Sequence, residues 1–582
     1  MKTFLLLPFL VASVVQADPL VDFQVAQPPI IPKNGQQCTI KLIERDFAFS
    51  YGSPEIVQYT PPTDCGPAGT WAAVTLNLTV TSNGTQFDRL ATFTLQETEI
   101  WRTSTPEPIR GDGIIWTYIK DVSRYTTLFA KPGTLILELD NIVQPELDGV
   151  YHSLVHVTFY PSTEENPPVP TGDLIIPIGS LASNSGAQVF FPPSLTVPVT
   201  VPQNTIEIYA EIYASGNSDE EFWYFNVPDE YLGDLPDGTT SGKGSFREVR
   251  LLLDGQLAGV AFPYPVIFTG GFVPTAWRPI PSYGALDLPS YYVDLTPFVP
   301  LLTDGKPHNV TIDVASADPD HAINSNWILS ANLQVVTGSS PEPTTGNITS
   351  YDVEPFARAT STLSSVEGDV EITTEATRKL RIESQVVSGN GSRSQVVWSQ
   401  DLTFSTTQWF LNDTLVERVA QTSSGTSIST HNGLTKTVDK FSYPLQVNLT
   451  AFGPGLNSLQ TTVDHSYERF FSPSPFVLSS RIRSHQTAGG YLFRGPNGTT
   501  GTGTSENQFS YDDAQGNTYW RRVNAAYNTI TYNKEGGTLA GGQNDLWGVA
   551  TADTQVIADL GDTFRLPGGR RGEPGFESGR IL

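Results

Sequence analysis

The sequence predicts an all-β protein with two similar antiparallel sandwiches followed by a third β-rich part. Its apolar segments are short, β-branched and aromatic, and several alternate with polar residues, as in TLILELD and VTIDVAS. Gly, Pro and Asp bound these segments, whereas long stretches with helical spacing are hard to find. Alternation with a period of two is typical of strands that bury one face. We therefore assign the chain to the all-β class.

The division into parts follows from length and composition. A chain of 582 residues is too long for one core. It opens with MKTFLLLPFLVASVVQA, a basic residue and an apolar run that end in small residues, as in a cleaved secretion signal. Stretches rich in Pro, Thr and Ser mark the divisions that follow. The predicted parts are a signal peptide (1–17), a first sandwich (18–165), a second sandwich (170–337), a linker (338–350), a C-terminal β-rich domain (351–556) and a disordered tail (557–582).

The two sandwiches are predicted to be copies of one plan. Residues 120–140 and 293–314 correspond, with Asp121 matching Asp294 before an alternating strand. Upstream of each copy, a charged pair leads into an apolar strand, in FDRLATFTLQETEIW and FREVRLLLDGQLAGV. A repeat at this scale predicts two sandwiches side by side, with a cleft at their interface.

Charge and cysteine content restrict the partners and the compartment. Asp and Glu outnumber Lys and Arg by 60 to 34, and the net charge of −26 disfavours nucleic acid and anionic membranes. After residue 17, no stretch is long and apolar enough to span a membrane. Cys38 and Cys65 predict one disulfide near the mature N-terminus, the alternative being two free thiols.

Eight Asn-x-Ser/Thr sequons fit a glycosylated protein that is secreted to the medium, the cell wall or the vacuole. They lie at Asn77, Asn83, Asn309, Asn347, Asn390, Asn412, Asn448 and Asn497.

Several kinds of chemistry lack their sequence signals. The chain has no HExxH motif, no Cys/His zinc spacing and no GxSxG nucleophile elbow. The sequence therefore predicts no metal and no cofactor. Carboxylates, arginines and aromatic residues remain as the candidates for function.

Three segments carry those candidates. In FDRLATFTL, Asp88 projects from the start of a strand on the face away from Phe93, and its alternative role is a surface ion pair or a turn. In DEEFWYF, Glu220 and Glu221 abut aromatic rings, which either raise a carboxyl pKa or form a surface for sugar. The third segment, residues 270–292, is an irregular loop with Trp277, and long loops in compact domains are often functional.

With these segments in hand, the chain resembles the acidic peptide N-glycanases of the amidase A type found in plants and fungi. Five motifs agree in order, and the resemblance is close over residues 38 to 335. They are FDRLATFTLQETEIWRTSTPEP, ELDNIVQPELDGVYHSLVHVTFY, DEEFWYFNVPDEYL, FREVRLLLDGQLAGVAFPYPVIFTGG and AWRPIPSYGALDLPSYYVDLTPF.

The resemblance implies hydrolysis of the amide between the innermost N-acetylglucosamine and asparagine of N-glycopeptides, without a cofactor. The family is distantly similar to bacterial N-glycosidase F, which implies two jelly-roll sandwiches with the site between them. Phe87-Asp88-Arg89 matches the bacterial Trp-Asp-Arg motif, although Phe replaces Trp and the flanking cysteine pair is missing.

The same resemblance implies roles for other residues. Glu221 matches the bacterial glutamate, with Glu220 as the fallback, and Asp140 matches a third acid. Arg278 and Arg102 match motif arginines. The residues expected to contact the sugar are Trp277, Trp223 and Tyr291. We expect Asp88 to activate water, Arg89 or Arg278 to stabilise the oxyanion, and Glu221 to stay protonated.

Three other functions fit parts of the same pattern. A glycoside hydrolase also uses paired carboxylates and would leave one N-acetylglucosamine on the peptide. A lectin would keep the aromatic residues and tolerate Asp88→Asn. A structural cell-surface sandwich would bind no glycan.

Overall fold

The computed structural model describes residues 19–33, 35–473, 478–495 and 498–541, and these residues are nearly all in strands or loops. The strands of this part form five sheets, four of which pair into two sandwiches. The all-β class is confirmed. The predicted signal peptide (1–17) and tail (557–582) lie outside the described residues.

The first sandwich packs a five-stranded sheet, ordered β1-β7-β4-β9-β2, on a four-stranded sheet, ordered β3-β8-β5-β6. Trp71, Phe93, Trp101 and Trp116 fill the space between them. Its strands are β1 (Leu20–Asp22), β2 (Cys38–Phe47), β3 (Glu55–Tyr59), β4 (Trp71–Asn83), β5 (Leu90–Leu95), β6 (Thr98–Ser104), β7 (Ile114–Asp121), β8 (Gly133–Leu139) and β9 (Val150–Pro161).

The second sandwich has the sheet β10-β18-β13-β16, with β11 also on β18, and the sheet β12-β17-β14-β15. Its strands are β10 (Leu174–Ile178), β11 (Val189–Phe191), β12 (Leu195–Val199), β13 (Thr205–Asn217), β14 (Glu248–Leu253), β15 (Gln256–Ala261), β16 (Tyr291–Asp294), β17 (His308–Ala315) and β18 (Asn326–Thr337).

The two segments predicted to repeat have the same order of elements. In each, a strand ends at an aspartate, a helical turn follows, and a second strand returns. Asp121 Oδ1 accepts a hydrogen bond from Ser123 N (2.9 Å), and Asp294 Oδ1 accepts one from Thr296 N (2.8 Å). The helices are α1 (Thr126–Phe129) and α2 (Val299–Leu302), with 3₁₀ turns at Ser123–Tyr125, Ser218–Glu220, Trp223–Phe225, Asp229–Asp234, Pro274–Trp277, Thr296–Phe298 and Pro454–Leu456.

The third part is one large antiparallel sheet of eleven strands. In the sheet, β19 lies next to β21, the strands β22 to β29 follow in sequence order, and β20 also pairs with β21. It begins inside the stretch predicted as a linker (338–350). Its strands are β19 (Thr345–Val353), β20 (Arg358–Val366), β21 (Asp369–Val387), β22 (Arg393–Leu411), β23 (Val416–His431), β24 (Leu434–Phe452), β25 (Ser458–Pro473), β26 (Ser480–Gly495), β27 (Gly498–Asp513), β28 (Thr518–Ala526) and β29 (Thr529–Gly536).

One face of this large sheet covers the second sandwich. Buried and exposed residues alternate along β21 and β22, as expected for strands with one solvated face. On the buried face, the ring of Phe404 lies 5.2 Å from that of Phe246, and Trp398 Nε1 donates to the Ala258 carbonyl at 3.1 Å. The second sandwich and the large sheet therefore share one hydrophobic core.

The interface between the sandwiches is polar as well as apolar. Every residue of β6 is buried there. Arg102 of this strand pairs with Glu99 and donates to Ser215 Oγ and the Ile328 carbonyl of the second sandwich, at 2.9 and 2.8 Å.

The helices among the described residues are too short to cross a membrane.

Candidate active site

Asp88 lies where the two sandwiches meet. It stands just before β5, and its carboxylate accepts a hydrogen bond of 2.7 Å from the backbone N–H of Gly270, in the loop between β15 and β16. Glycine lets the carboxylates approach this closely, because a Cβ at Gly270 would lie 2.8 Å from Glu107 Oε1 and 3.1 and 3.2 Å from the two oxygens of Asp88. The first sandwich thus contributes the acid, and the second contributes its hydrogen-bond donor.

Short polar contacts fix the segment that carries Asp88. The hydroxyl of Tyr151 donates to the Phe87 carbonyl at 2.7 Å, and the backbone N–H of Arg89 donates to Thr105 Oγ1 at 2.9 Å. Arg89 Nη2 donates to Gln86 Oε1 at 2.8 Å. Its Nε is buried and has no partner among the described residues, so part of the guanidinium group is free to bind another acceptor.

Glu107 is another acid beside Asp88, and the sequence interpretation missed it. It follows β6 between two prolines, which restrict the backbone and fix the direction of the side chain. Its backbone N–H donates to Thr269 Oγ1 at 2.9 Å, and its carboxylate is 3.3 Å from Arg278 Nη2. Its place at the end of the motif TSTPEP, in a turn rich in polar residues, was the available signal.

Glu221 reaches the same site from the second sandwich. The short 3₁₀ turn Ser218–Glu220 follows β13, and Glu221 closes it by donating its backbone N–H to the Ser218 carbonyl at 2.9 Å. Among the described residues, its carboxyl group has no hydrogen-bond partner. The charge of Asp88 acts on it and on Glu107, so the three carboxyl groups form one electrostatic cluster.

The three acids have raised pKa values. Burial raises the pKa of Asp88, while the Gly270 hydrogen bond and the Arg89 charge oppose this rise. Burial, and then the charge of Asp88, raise the pKa of Glu107 and of Glu221 to about 8. Asp88 has the better stabilised anion, so it ionises first and its charge keeps the other two acids protonated.

Arg278 supplies positive charge beside this cluster. Its guanidinium contacts Glu107, and its Nε is buried without a partner among the described residues. Asp22, at the end of β1, is a second acid that the sequence interpretation missed. Both of its oxygens are buried without a partner in the part of the chain that the structure describes, and burial raises its pKa to about 8 although the charge of Arg278 opposes the rise.

Asp140 lies at the edge of this region. Its Oδ1 accepts a hydrogen bond of 3.3 Å from the Gly52 backbone. Burial and the charge of Glu138 raise its pKa, and the charge of Arg89 lowers it. Asp140 is therefore close enough to Arg89 for the two charges to interact.

Two of the residues predicted to bind substrate have structural partners instead. Glu220 accepts hydrogen bonds from Arg247 at 2.6 and 2.7 Å, from Trp327 Nε1 at 2.8 Å and from the Asn324 backbone at 2.9 Å. Although burial raises the pKa of Glu220, the charge and hydrogen bonds of Arg247 lower it below the usual range. Arg102 is engaged in the interface described above. Internal bonds thus occupy both side chains, and their binding roles stay predictions.

The aromatic residues predicted to contact the sugar are buried. Trp277, Trp223 and Tyr291 are only 1%, 4% and 6% exposed, and a ring without a free face cannot stack on a sugar. Phe87 is instead 48% exposed beside Asp88. The half-buried rings of Phe222 and Phe272 lie 5.4 Å apart near Gly271. Beside Asp88 and Gly271, the accessible aromatic surface is thus provided by these phenylalanines.

The remaining predicted features lie elsewhere. Cys38 and Cys65 form the predicted disulfide. The side chains of Asn309, Asn347, Asn390, Asn412 and Asn448 are exposed, those of Asn77 and Asn83 are partly buried, and Asn497 lies outside the described residues. No group of three or more His, Cys, Asp or Glu in the described part of the chain is arranged to hold a metal ion.

Comparison with known proteins gives three findings. The family model described as peptide N-acetyl-beta-D-glucosaminyl asparaginase amidase A matches residues 28–354, and the model of its C-terminal domain matches residues 371–445. The peptide-N4-(N-acetyl-beta-glucosaminyl)asparagine amidase A of Prunus dulcis is 30% identical over 560 residues, which cover 89% of this chain and 93% of that protein. A solved structure of PNGF-II aligns with a TM-score of 0.34 and 12% identity, over 52% of this chain and 66% of that one.

Proposed function

Because this chain belongs to the peptide N-glycanase A family and is an asparagine amidase of that type, we propose that it is a secreted enzyme that releases whole glycans from N-glycopeptides. The bond it cleaves is the amide between the innermost N-acetylglucosamine and the asparagine side chain. Water adds to the amide carbon and the carbon–nitrogen bond breaks. Asparagine becomes aspartate, and the glycan leaves as a glycosylamine.

Asp88 is the general base of this reaction. It is the acid with a hydrogen bond from Gly270 and the Arg89 charge in support of its ionised form. As a carboxylate it takes a proton from the attacking water, a contribution of roughly 10²–10⁴ in rate.

Glu221 is the general acid. A carboxyl group with a pKa of about 8 keeps its proton at acidic and neutral pH. It gives that proton to the amide nitrogen as the carbon–nitrogen bond breaks, and it thereby balances the proton that Asp88 takes up. Glu107 has the same raised pKa and lies in the same cluster, so it is the second proton donor in reach.

Arg278 and Arg89 stabilise the negative charge that develops on the amide oxygen. Both guanidinium groups lie at the acid cluster, since the charge of Arg89 acts on Asp88 and Arg278 contacts Glu107, and fixed positive charge is worth most in a desolvated site. The exposed ring of Phe87 and the pair Phe222 and Phe272 offer the apolar surface for the sugar.

One observation carries this proposal. Two sandwiches deliver Asp88 and Glu221 to one partly buried cluster, in which burial and then the charge of Asp88 favour the protonated form of Glu221. A base and an acid with separated pKa values are what amide hydrolysis near neutral pH requires. A lectin gains nothing from such a cluster, because buried and unpaired carboxyl groups destabilise the fold.

The test is to incubate the protein with an N-glycopeptide in heavy-oxygen water and to identify the peptide by mass spectrometry. We expect aspartate with one heavy oxygen in place of the glycosylated asparagine. A peptide that keeps one N-acetylglucosamine would mean a glycoside hydrolase. An unchanged peptide would favour the lectin.

Secretion rests on the leader-like residues 1–17, the disulfide and the exposed sequons. Expression in a eukaryotic host, followed by N-terminal sequencing of the protein in the medium, tests it. We expect a mature chain that begins after Ala17. A protein that stays in the cell with its first residues intact would contradict secretion.

A further inference from the structure

A groove of about 650 Å³ lies on the eleven-stranded sheet, among the side chains of its solvent face. Across five neighbouring strands, β24 to β28, five polar residues stand in register: Gln446, Asp464, Thr487, Glu506 and Asn524. Neighbouring strands are about 4.8 Å apart, so this row extends roughly 19 Å. It is long enough to follow an extended ligand of several units.

The groove is rich in hydrogen-bonding groups and has no positive charge of its own. Its lining among the described residues consists of amides, hydroxyls, two carboxylates and small residues, without lysine or arginine. Glu506 is already paired with Arg522 beside the groove, and His485 Nε2 lies 3.0 Å from Asp464 Oδ1, so the groove has little free charge with which to select a charged ligand. The Oδ1 of Asn524 is buried and has no partner in the described chain, and a buried acceptor of this kind calls for a donor.

An aromatic face closes one end of the groove. The ring of Tyr491 is 41% exposed, and Phe493 lies nearly parallel to it with ring centres 5.9 Å apart. Between Thr487 and Tyr491 the strand has Gly489, so no side chain stands between the polar row and the ring. A ligand with hydroxyl groups at its rim and apolar C–H faces matches both features.

We propose that this groove binds a neutral oligosaccharide branch of the glycoprotein substrate, as a second glycan site apart from the amide-cleaving cluster. The substrate class rests on the proposed function, whereas the groove itself does not. The reverse face of β27 supports the active-site loop, since a Cβ at Gly503 would lie 2.1 Å from the Thr275 carbonyl oxygen. The groove and the loop that carries Gly270 and Arg278 thus lie against opposite faces of β27, and we expect them to receive different parts of the glycoprotein.

A competing occupant is a glycan of the chain itself. Asn448 lines the groove within the sequon Asn-Leu-Thr, and its Nδ2 donates to Thr462 Oγ1 at 3.1 Å. Thr450→Ala removes this sequon and keeps the Asn448 side chain, and Thr450 is not part of the groove lining. Wild type and Thr450→Ala therefore separate the two occupants.

The experiment is calorimetric titration of the full chain with a free neutral oligomannose, which has no asparagine amide to hydrolyse. We expect wild type and Thr450→Ala to bind it alike. Tyr491→Ala and Asn524→Leu, each in the Thr450→Ala background, should bind about tenfold more weakly or worse. Trp520→Ala should leave binding unchanged, because Trp520 is 46% exposed on the same sheet but outside the groove.

Three outcomes would overturn the proposal. They are no binding by Thr450→Ala, equal binding by the Tyr491 and Asn524 variants, and binding by Thr450→Ala but not by wild type, which would give the groove to the chain's own glycan. Amide hydrolysis of a glycopeptide by the same wild-type preparation is measured separately. A failure of the proposed function is thereby distinguished from a failure of the groove.

Discussion

The starts of β5 and β14 are corresponding places in the two sandwiches, but their charged residues are bonded differently. The first reads Phe87-Asp88-Arg89 and the second Phe246-Arg247-Glu248. In the second copy both charged residues have full ion partners: Arg247 pairs with Glu220 at 2.6 Å, and Glu248 pairs with Arg378 of the large sheet at 2.6 Å. In the first copy Asp88 has no ion pair among the described residues and accepts a backbone hydrogen bond instead.

The eleven-stranded sheet explains the difference. It covers the second copy, so Phe246 is only 1% exposed, whereas Phe87 at the corresponding position is 48% exposed. The charged residues of the covered copy are almost fully buried and therefore need ion partners. Asp88, at the end of the first copy where Phe87 is exposed, is only partly buried and can be reached by a substrate. The same local pattern therefore gives a structural ion pair in one sandwich and a catalytic acid in the other.

The largest expected effect comes from Asp88→Asn. The amide cannot accept the proton of water, so we expect amidase activity to fall by roughly 10²–10⁴. Stability should stay the same or rise, because burial opposes ionisation of this carboxyl group. Glycopeptide turnover and thermal unfolding of the same preparation measure the two quantities. Full activity in the variant would remove Asp88 from the mechanism.

Arg247→Met, at the corresponding place in the second copy, should act on stability rather than on chemistry. It leaves Glu220 buried without its ion partner, which costs about 3–5 kcal/mol in the free energy of unfolding. The double variant Arg247→Met, Glu220→Leu should recover much of this loss. Urea unfolding provides the measurement. A stable single variant with greatly reduced turnover would assign the pair to the active site and end the contrast between the copies.

The sequence predicts the local features of both copies well. Alternation predicts the strands, and the charged pair with its turn makes Asp88 and Arg89 candidates whose roles come from the family resemblance and stay predictions. Sequence cannot separate Glu221 from Glu220, because the distinction depends on Arg247, Trp327 and Asn324 being close to Glu220 in space.

What sequence does not provide is the packing between distant segments. Trp277 lies in an irregular loop, and the sequence therefore predicts that it is accessible. In the structure, strands of the large sheet cover that loop, since Gly501 and Gly503 lie against Thr275. Glu107 reads as a turn residue between two prolines. Asp22 becomes part of the site because β1 pairs with β7 and the Phe23 backbone N–H donates to the Pro279 carbonyl at 3.1 Å. Each of these placements depends on a contact between residues far apart in the chain.

Gly270→Ala tests the contact between Asp88 of the first sandwich and the Gly270 backbone of the second. The added Cβ would meet Glu107 and Asp88 at 2.8–3.2 Å, so one of these acids has to move. Because a misplacement of about 1 Å costs roughly 10² in rate and the shift needed here is smaller, we expect turnover to fall by up to about tenfold. Gly233→Ala is the matched control, since a Cβ there meets nothing within 4 Å. Equal turnover by the two variants would mean that the Gly270 contact does not position the acids.

A further expected effect is on the alkaline limb of the pH profile of activity. It shows whether Glu221 or Glu107, which have the same raised pKa, is the proton donor. Glu221 must be protonated to act as the acid, so activity is present below its pKa of about 8 and is lost as pH rises through that value. Glu221→Gln should lower turnover by roughly 10², the lower end of what a positioned acid contributes, and should remove this limb, because glutamine does not titrate. Glu107→Gln should keep the limb, since Glu221 still loses its proton there. If Glu107→Gln flattens the profile and Glu221→Gln does not, the acid comes from the same sandwich as the base, and the second sandwich supplies only the Gly270 hydrogen bond and Arg278.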